Sequence, residues 1–174
     1  MRPVPGSYEI EQKYRIKNPK VIRAALKKLG ARKIASGFES NELLDRKGEL
    51  RRKKSVLRLR QYGKSTILTF KGPRLKVKGS YKKRVEIETD VEGVSAKGIL
   101  EALGYKTFFH YSKTREQYSY SSCSIVLDHL SKLGWFLEIE GSPSRIGRIA
   151  KQLKFQKSDE EPLSYPQLLS VEIN

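Results

Sequence analysis

Polar and apolar positions alternate with a period of two over several stretches of the chain, as in strands that turn one face to a core and the other elsewhere. Between Tyr8 and Arg15, the residues Glu9, Glu11, Lys13 and Arg15 share one face, and Tyr8, Ile10, Gln12 and Tyr14 share the other. Val56 to Tyr62 sets Arg58 and Arg60 against Leu57 and Leu59, and Ser65 to Lys71 sets Ile67, Thr69 and Lys71 against Thr66, Leu68 and Phe70. Lys82 to Thr89 carries Arg84, Glu86 and Glu88 opposite Val85 and Ile87. Lys33 to Asp45 is weakly patterned and reads as extended up to a turn at Asp45 to Gly48. Phe108 to Tyr118 also reads as extended, with Lys113 and Arg115 in phase. Ser124 to Asp128 and Trp135 to Glu140 read as a closing hairpin that turns through His129 to Gly134.

Three segments repeat at helical spacing instead. Asn18 and Pro19 form an N-cap and first-position pair, after which Val21, Ile22, Ala25, Leu26 and Leu29 make an apolar stripe that stops at Gly30. Ser95 is the expected cap of a short helix through Leu103, and Pro143 to Leu153 is the expected final helix. The apolar stripes of the helices need an apolar surface, and the apolar strand faces point away from the charged ones. Helices outside and charges inside satisfy both demands. The expected architecture is α+β: an eight-stranded antiparallel closed β-barrel with helices packed outside, which also removes the exposed edges of an open sheet.

The 174 residues suit one domain over 1–174. Lys and Arg number 36 against 19 acids, for a formal charge of +17, and the excess is concentrated. Between Arg46 and Arg84 sixteen residues are Lys or Arg and only Glu49 is acidic, which points to an anionic partner. The single cysteine, Cys123, excludes an intrachain disulfide and cysteine-rich zinc sites. With no apolar signal region in Met1 to Tyr8 and no run long enough for a membrane span, the expected address is the cytoplasm, without membrane attachment.

A polar barrel interior would gather Lys13, Arg15, Arg58, Arg60, Lys71, Arg84, Lys113 and Arg115. That many cations in low dielectric require an anion. Glu9, Glu11, Glu86, Glu88, Asp128, Glu138 and Glu140 offset part of the charge but repel one another unless cations bridge them. Oxygen ligands without His or Cys select hard ions, so Mg²⁺ or Mn²⁺ is expected. A polyphosphate with a divalent metal answers both requirements.

Glu9-Ile10-Glu11-Gln12-Lys13 resembles the Glu-x-Glu-x-Lys signature of the CYTH superfamily, the triphosphate tunnel metalloenzymes that include class IV adenylyl cyclase and thiamine triphosphatase. The resemblance continues through Leu57-Arg58-Leu59-Arg60, Leu68-Thr69-Phe70-Lys71-Gly72-Pro73 and Arg84-Val85-Glu86-Ile87-Glu88 to Lys113-Thr114-Arg115, Leu127-Asp128 and Glu138-Ile139-Glu140. The tail, Ser164-Tyr165 with Leu168-Leu169, resembles the class IV cyclase branch. The resemblance implies an eight-stranded tunnel that binds a triphosphate. In it Glu9, Glu11, Glu138 and Glu140, with Asp128 as a further candidate, would be metal ligands. Arg58, Arg60, Lys71, Arg84, Lys113 and Arg115 would grip phosphates, and Lys13 would either bind phosphate or help to deprotonate water. Glu86 and Glu88 are candidates for holding the basic residues in place.

One departure bears on the reaction. The cyclase branch carries a His-Phe pair a few residues before Glu-x-Glu-x-Lys, and here Pro3 and Val4 stand at the corresponding positions. The favoured expectation is therefore metal-dependent hydrolysis of inorganic triphosphate or a small organic triphosphate, with Lys13 and Glu11 catalytic; conversion of ATP to cyclic AMP and pyrophosphate is the alternative. A rival of another class is a nucleic-acid-binding module using Arg51-Arg52-Lys53-Lys54 with Arg74, Lys76 and Lys78, and such nonspecific contact could also accompany an active enzyme. The sequence leaves room for a homodimer. His110 and His129 read as turn or surface residues, Trp135 as hairpin packing and Cys123 as a bystander.

Overall fold

The alternating segments form eight antiparallel strands, and the computed structural model describes residues 7–77 and 80–171. Pro3, Val4 and Lys78 lie outside the described residues. In chain order the elements are β1 (Ser7–Ile16), α1 (Pro19–Leu29), β2 (Arg32–Asp45), α2 (Glu49–Arg52), β3 (Val56–Tyr62), β4 (Ser65–Lys71) and β5 (Lys82–Val91). They continue with α3 (Gly93–Ala102), β6 (Lys106–Tyr120), β7 (Cys123–Leu130), β8 (Gly134–Glu140), α4 (Pro143–Gln152), a 3₁₀ turn at Lys157–Asp159 and α5 (Tyr165–Val171). The strands hydrogen-bond in the order β1-β5-β4-β3-β2-β6-β7-β8 and the sheet closes, β8 pairing back onto β1. None of the described helices is long and apolar enough to cross a membrane.

The residues group into two compact units. One takes in Phe38–Lys76 and Lys83–Ser112 with the start of β1 up to Glu9; the other takes in Ile10–Gly37, Val77–Lys82 and the chain from Lys113 onward. In the first unit, Leu100 of α3 packs on Leu44 and Leu59, with Leu57, Leu68 and Val91 around them. In the second, Ile22 and Leu26 of α1 and Ile146, Ile149 and Ala150 of α4 bury against Tyr14, Ile125, Leu127, Leu137 and Ile139. Each fully buried Leu or Ile contributes roughly 1.5–3 kcal/mol, so the helices are fixed on the apolar strand faces and the charged faces point away from them.

Local signals set the helix ends. Asn18 Oδ1 accepts from the backbone N–H groups of Lys20 and Val21, and Gly30 ends α1 at φ 79°. The cap of α3 is Glu92 rather than Ser95: its carboxylate accepts from the N–H groups of Val94 and Ser95 at 3.1 and 2.7 Å. The turn after β2 continues into α2, because buried Asp45 accepts from the N–H groups of Leu50 and Arg51. The last hairpin turns later than the sequence suggests, since β7 runs through His129 to Leu130. His129 stacks on Trp135 across that hairpin, 4.6 Å between centroids, and buried Cys123 packs in the core of the second unit.

Candidate active site

In the second unit the charged face is assembled by register. Arg115 lies opposite Asp128, Lys13 opposite Glu138, and Glu11 opposite Glu140. Asp128, with no exposed surface, is the anchor. It accepts from Lys113 Nζ at 2.9 Å, from Arg115 Nε and Nη2 at 2.7 Å each, and from the Tyr165 hydroxyl at 2.9 Å. Arg115 also donates to Glu138 at 3.2 Å. A carboxylate removed from water is tolerated because four hydrogen bonds from three side chains replace its hydration.

Lys13 is the most enclosed cation, 2% exposed. Its ammonium lies 3.4 Å from Glu138, donates to the Leu163 carbonyl at 3.0 Å, and sits 3.6 Å from the centroid of the Tyr165 ring. Burial lowers its pKa to about 8, against the opposing pull of Glu138. Burial alone would raise the Glu138 carboxyl, but Lys13, Lys113, Arg115 and Lys82 outweigh it and hold that group well below the carboxylate range. Lys82 pairs with Glu11 at 3.4 Å and reaches the Leu163 carbonyl at the same distance.

Lys82, Leu163 and Tyr165 carry no role in the sequence reading. Lys82 was within reach of it, being in phase with Arg84, Glu86 and Glu88. The Leu163 contact is made by a backbone carbonyl, which no residue identity announces, and the tail meets Lys13 at a separation of 150 residues. The tail is tied down by the Glu161 N–H donating to the Lys13 carbonyl and by Arg15 donating to Glu161 at 2.7 Å. Burial, and then Asp128, push the Tyr165 phenol well above its usual pKa, so it stays protonated and donates.

In the first unit the register sets Arg58 against Thr69, Thr69 against Glu88 and Lys71 against Glu86. Arg60 and Thr69 donate to Glu88 at 3.2 and 2.7 Å. Lys71 donates to Glu9 at 2.8 and 3.0 Å and to Glu86 at 3.0 Å. Burial and the neighbouring Glu9 raise the Glu86 carboxyl to about 8. Arg58 is buried, and its Nε has no hydrogen-bond partner among the described residues, so an oxygen acceptor would relieve it. Arg84 is half-buried on β5, in phase with Glu86 and Glu88. His110 contacts Ser40 at 3.1 Å and borders a groove of about 670 Å³ whose Glu42 is taken up by Lys97 and Thr107.

Among the described residues no three acidic, His or Cys side chains converge into a preformed metal site; the expected ligands Glu9, Glu11 and Glu138 face Lys71, Lys82 and Lys13. The donor chemistry nonetheless suits a hard divalent ion. Glu11 and Glu140 lie directly opposite on neighbouring strands, with Glu138 next on the same face, a like-charge arrangement that favours a bridging cation.

A CYTH domain family model matches residues 7–157. The chain belongs to the CYTH family. A Methanocaldococcus jannaschii protein, provisionally named an adenylate cyclase, is 32% identical over 150 residues, covering 84% of this chain and 83% of the relative. A Vibrio parahaemolyticus structure, also provisionally described as an adenylate cyclase, superposes with a TM-score of 0.85 at 24% identity, over 95% of this chain and 99% of its own. A Hippeastrum structure, described as a provisional adenylyl cyclase that reveals a dominant triphosphatase activity, gives 0.75 at 16% identity, over 94% and 96%. The CYTH membership agrees with the family resemblance of the motifs, and the closed eight-stranded barrel agrees with the expected fold.

Proposed function

We propose that this CYTH protein, as one domain over residues 1–174 acting in the cytoplasm, hydrolyses inorganic triphosphate or a small organic triphosphate with the help of Mg²⁺ or Mn²⁺. The observation that carries this reading is the cluster in the second unit: Lys13, Lys82, Lys113 and Arg115 gathered on Glu11, Asp128 and Glu138. With Glu140 opposite Glu11 the four cations are matched by four carboxylates in a largely buried setting, and a metal held by the carboxylates would leave the cations to be balanced by an oxyanion substrate.

In this reading Glu11, Glu138 and Glu140 hold the metal. Once bound, the ion polarises phosphoryl oxygens and neutralises developing charge. Asp128, with its oxygens already taken by Lys113, Arg115 and Tyr165, positions those cations instead of ligating metal. In the second unit Lys113 and Arg115 bind phosphate; within the first unit Arg58, Arg60, Lys71 and Arg84 are the phosphate-binding candidates. Lys13, with a pKa near 8, is close enough to neutrality to exchange a proton with an attacking water.

Cyclisation of ATP is the second reading, favoured by the name of the Methanocaldococcus jannaschii relative. Hydrolysis is favoured by Pro3 and Val4 in place of the His-Phe pair of the cyclase branch. The Hippeastrum neighbour supports only that the fold accommodates hydrolysis. The deciding experiment incubates the purified protein with tripolyphosphate, thiamine triphosphate and ATP, each with Mg²⁺ or Mn²⁺. Phosphate release as the main product supports hydrolysis. Cyclic AMP and pyrophosphate from ATP would replace it with cyclisation, and no turnover of any triphosphate would remove both.

A further inference from the structure

Only part of the basic excess between Arg46 and Arg84 enters the charged strand faces. Six cations, Arg46, Lys47, Arg51, Arg52, Lys53 and Lys54, occupy α2 and its flanking turns in the first unit, and all are exposed. Two lie over aromatic rings. The Arg51 guanidinium lies 4.6 Å from the centroid of Phe108, and that of Arg46 lies 5.5 Å from Tyr105. Each of these arginines also has a carboxylate, Asp45 at 3.0 Å and Glu49 at 3.2 Å. Lys47, Arg52, Lys53 and Lys54 have no ion pair with any described carboxylate, and Arg52 is braced by the Lys47 carbonyl at 2.8 Å. Lys47 and Lys54 both adopt positive φ, at 51° and 54°, and close the turn at its two ends.

We propose that this surface binds single-stranded nucleic acid, separately from the triphosphate chemistry proposed above. Unpaired lysines and a braced arginine suit a phosphate backbone. The aromatic component selects the partner class. Phe108 is 42% exposed beside the Arg51 guanidinium, and together they offer flat, sequence-tolerant surfaces on which bases stack. An inorganic polyanion or an acidic peptide would have no use for such a platform.

The test is fluorescence anisotropy of a labelled oligoadenylate with a hydroxyl 5′ end, which carries no triphosphate. It is measured on the full chain with EDTA present, with and without excess tripolyphosphate, over a series of salt concentrations. Binding should persist in EDTA and with tripolyphosphate at moderate salt. The combined R52E, K53E and K54E variant should bind at least tenfold more weakly, and its log-affinity against log-salt slope should shrink by about 2, from three lost contacts at about 0.7 each. F108L should weaken oligoadenylate binding by roughly five- to tenfold, while binding of an inorganic polyphosphate of similar length stays unchanged. Both variants should retain the wild-type melting temperature and wild-type triphosphate turnover, which separates this surface from the proposed catalytic cluster.

Unchanged oligoadenylate affinity in the triple variant would overturn the proposal. So would equal effects of F108L on oligoadenylate and polyphosphate, or no effect on either, because the surface would then read charge alone. Loss of binding in EDTA would assign the oligonucleotide to a metal-dependent site.

Discussion

Two charged networks, one in each unit, solve the burial of ionic side chains in different ways. In the second unit Asp128 is sealed from solvent and every one of its donors is a cation or a phenol, so its charge is matched at close range. In the first unit Lys71 is shared between Glu9 and Glu86, and Arg58 lies 4.0 Å from Glu86. Burial and the neighbouring Glu9 raise the Glu86 carboxyl there to about 8 against the pull of Lys71, whereas in the second unit four nearby cations outweigh burial and hold Glu138 low. Side-chain exposure differs as well: Glu88 is 37% exposed and Asp128 not at all. A network built on a fully covered anchor is suited to holding reacting groups in place; a ladder that ends on a partly exposed carboxylate is suited to contacting an anion from solvent.

Removing the anchor should have the largest effect. Asp128→Ala removes the close counter-ion of Lys113 and the nearer of the two held by Arg115, and loss of one member of a buried pair costs about 3–5 kcal/mol. Chemical denaturation measures it, and a loss below about 1 kcal/mol would show that the cluster is not sealed. Next in size, Glu138→Gln should lower triphosphate kcat by roughly a hundredfold, equivalent to about 2.7 kcal/mol, and raise the Mg²⁺ concentration needed for half-maximal rate. Arg60→Ala, in the open ladder, should act mainly on KM, by about tenfold. If Arg60→Ala instead lowers kcat as much as Glu138→Gln does, the division of labour between the networks is wrong.

The parts of this arrangement legible in the sequence were those encoded at short range. A period of two in β1, β3, β4 and β5 separates charged from apolar faces, and Asn18, Pro19 and Gly30 delimit α1 within a dozen residues. Features encoded at long range or by backbone atoms were hidden. Tyr165 meets Asp128 across 37 residues, and the Leu163 carbonyl has no signature at all. In β2 the pattern is blurred because Glu39 and Asn41 are buried polar residues on a face that also buries Leu43. At α3, Ser95 looked like a cap because serine favours that position, but the helix starts earlier and Glu92 caps it by accepting from the N–H groups of Val94 and of Ser95 itself.

A smaller effect tests the shared proton of the first unit. The Glu86 carboxyl titrates near 8 in the fold and near its ordinary 4.5 when unfolded. A raised acid binds its proton more tightly in the native state, so its contribution is neutral below about pH 4.5, becomes unfavourable as pH rises toward 8, and stays so above. Glu86→Gln cannot ionise. The variant should match the wild type at pH 4 and exceed it above pH 8 by about 1–3 kcal/mol, the proton being shared with Glu9. Parallel stability curves across that window would mean that Lys71 balances both carboxylates after all.

The smallest effect compares one chemical deletion in both networks. Tyr165 and Thr69 each donate a hydroxyl hydrogen bond to a carboxylate, at 2.9 Å to Asp128 and 2.7 Å to Glu88. Both hydroxyl-bearing residues are buried, but the acceptors differ, since Glu88 can recruit water and Asp128 cannot. A buried acceptor cannot replace a lost donor with water, whereas an exposed one recovers most of the loss from solvent. Tyr165→Phe should therefore cost about 1.5–2 kcal/mol and Thr69→Val about 0.5–1 kcal/mol, a gap of about 1 kcal/mol in paired denaturation curves. Salt sharpens the test, because screening acts on Glu88 through solvent and leaves Asp128 largely untouched; raising ionic strength should shrink the Thr69→Val cost and not that of Tyr165→Phe. Equal costs with equal salt responses would show that Asp128 is as accessible to water as Glu88, and the contrast between a covered network and an open one would be lost.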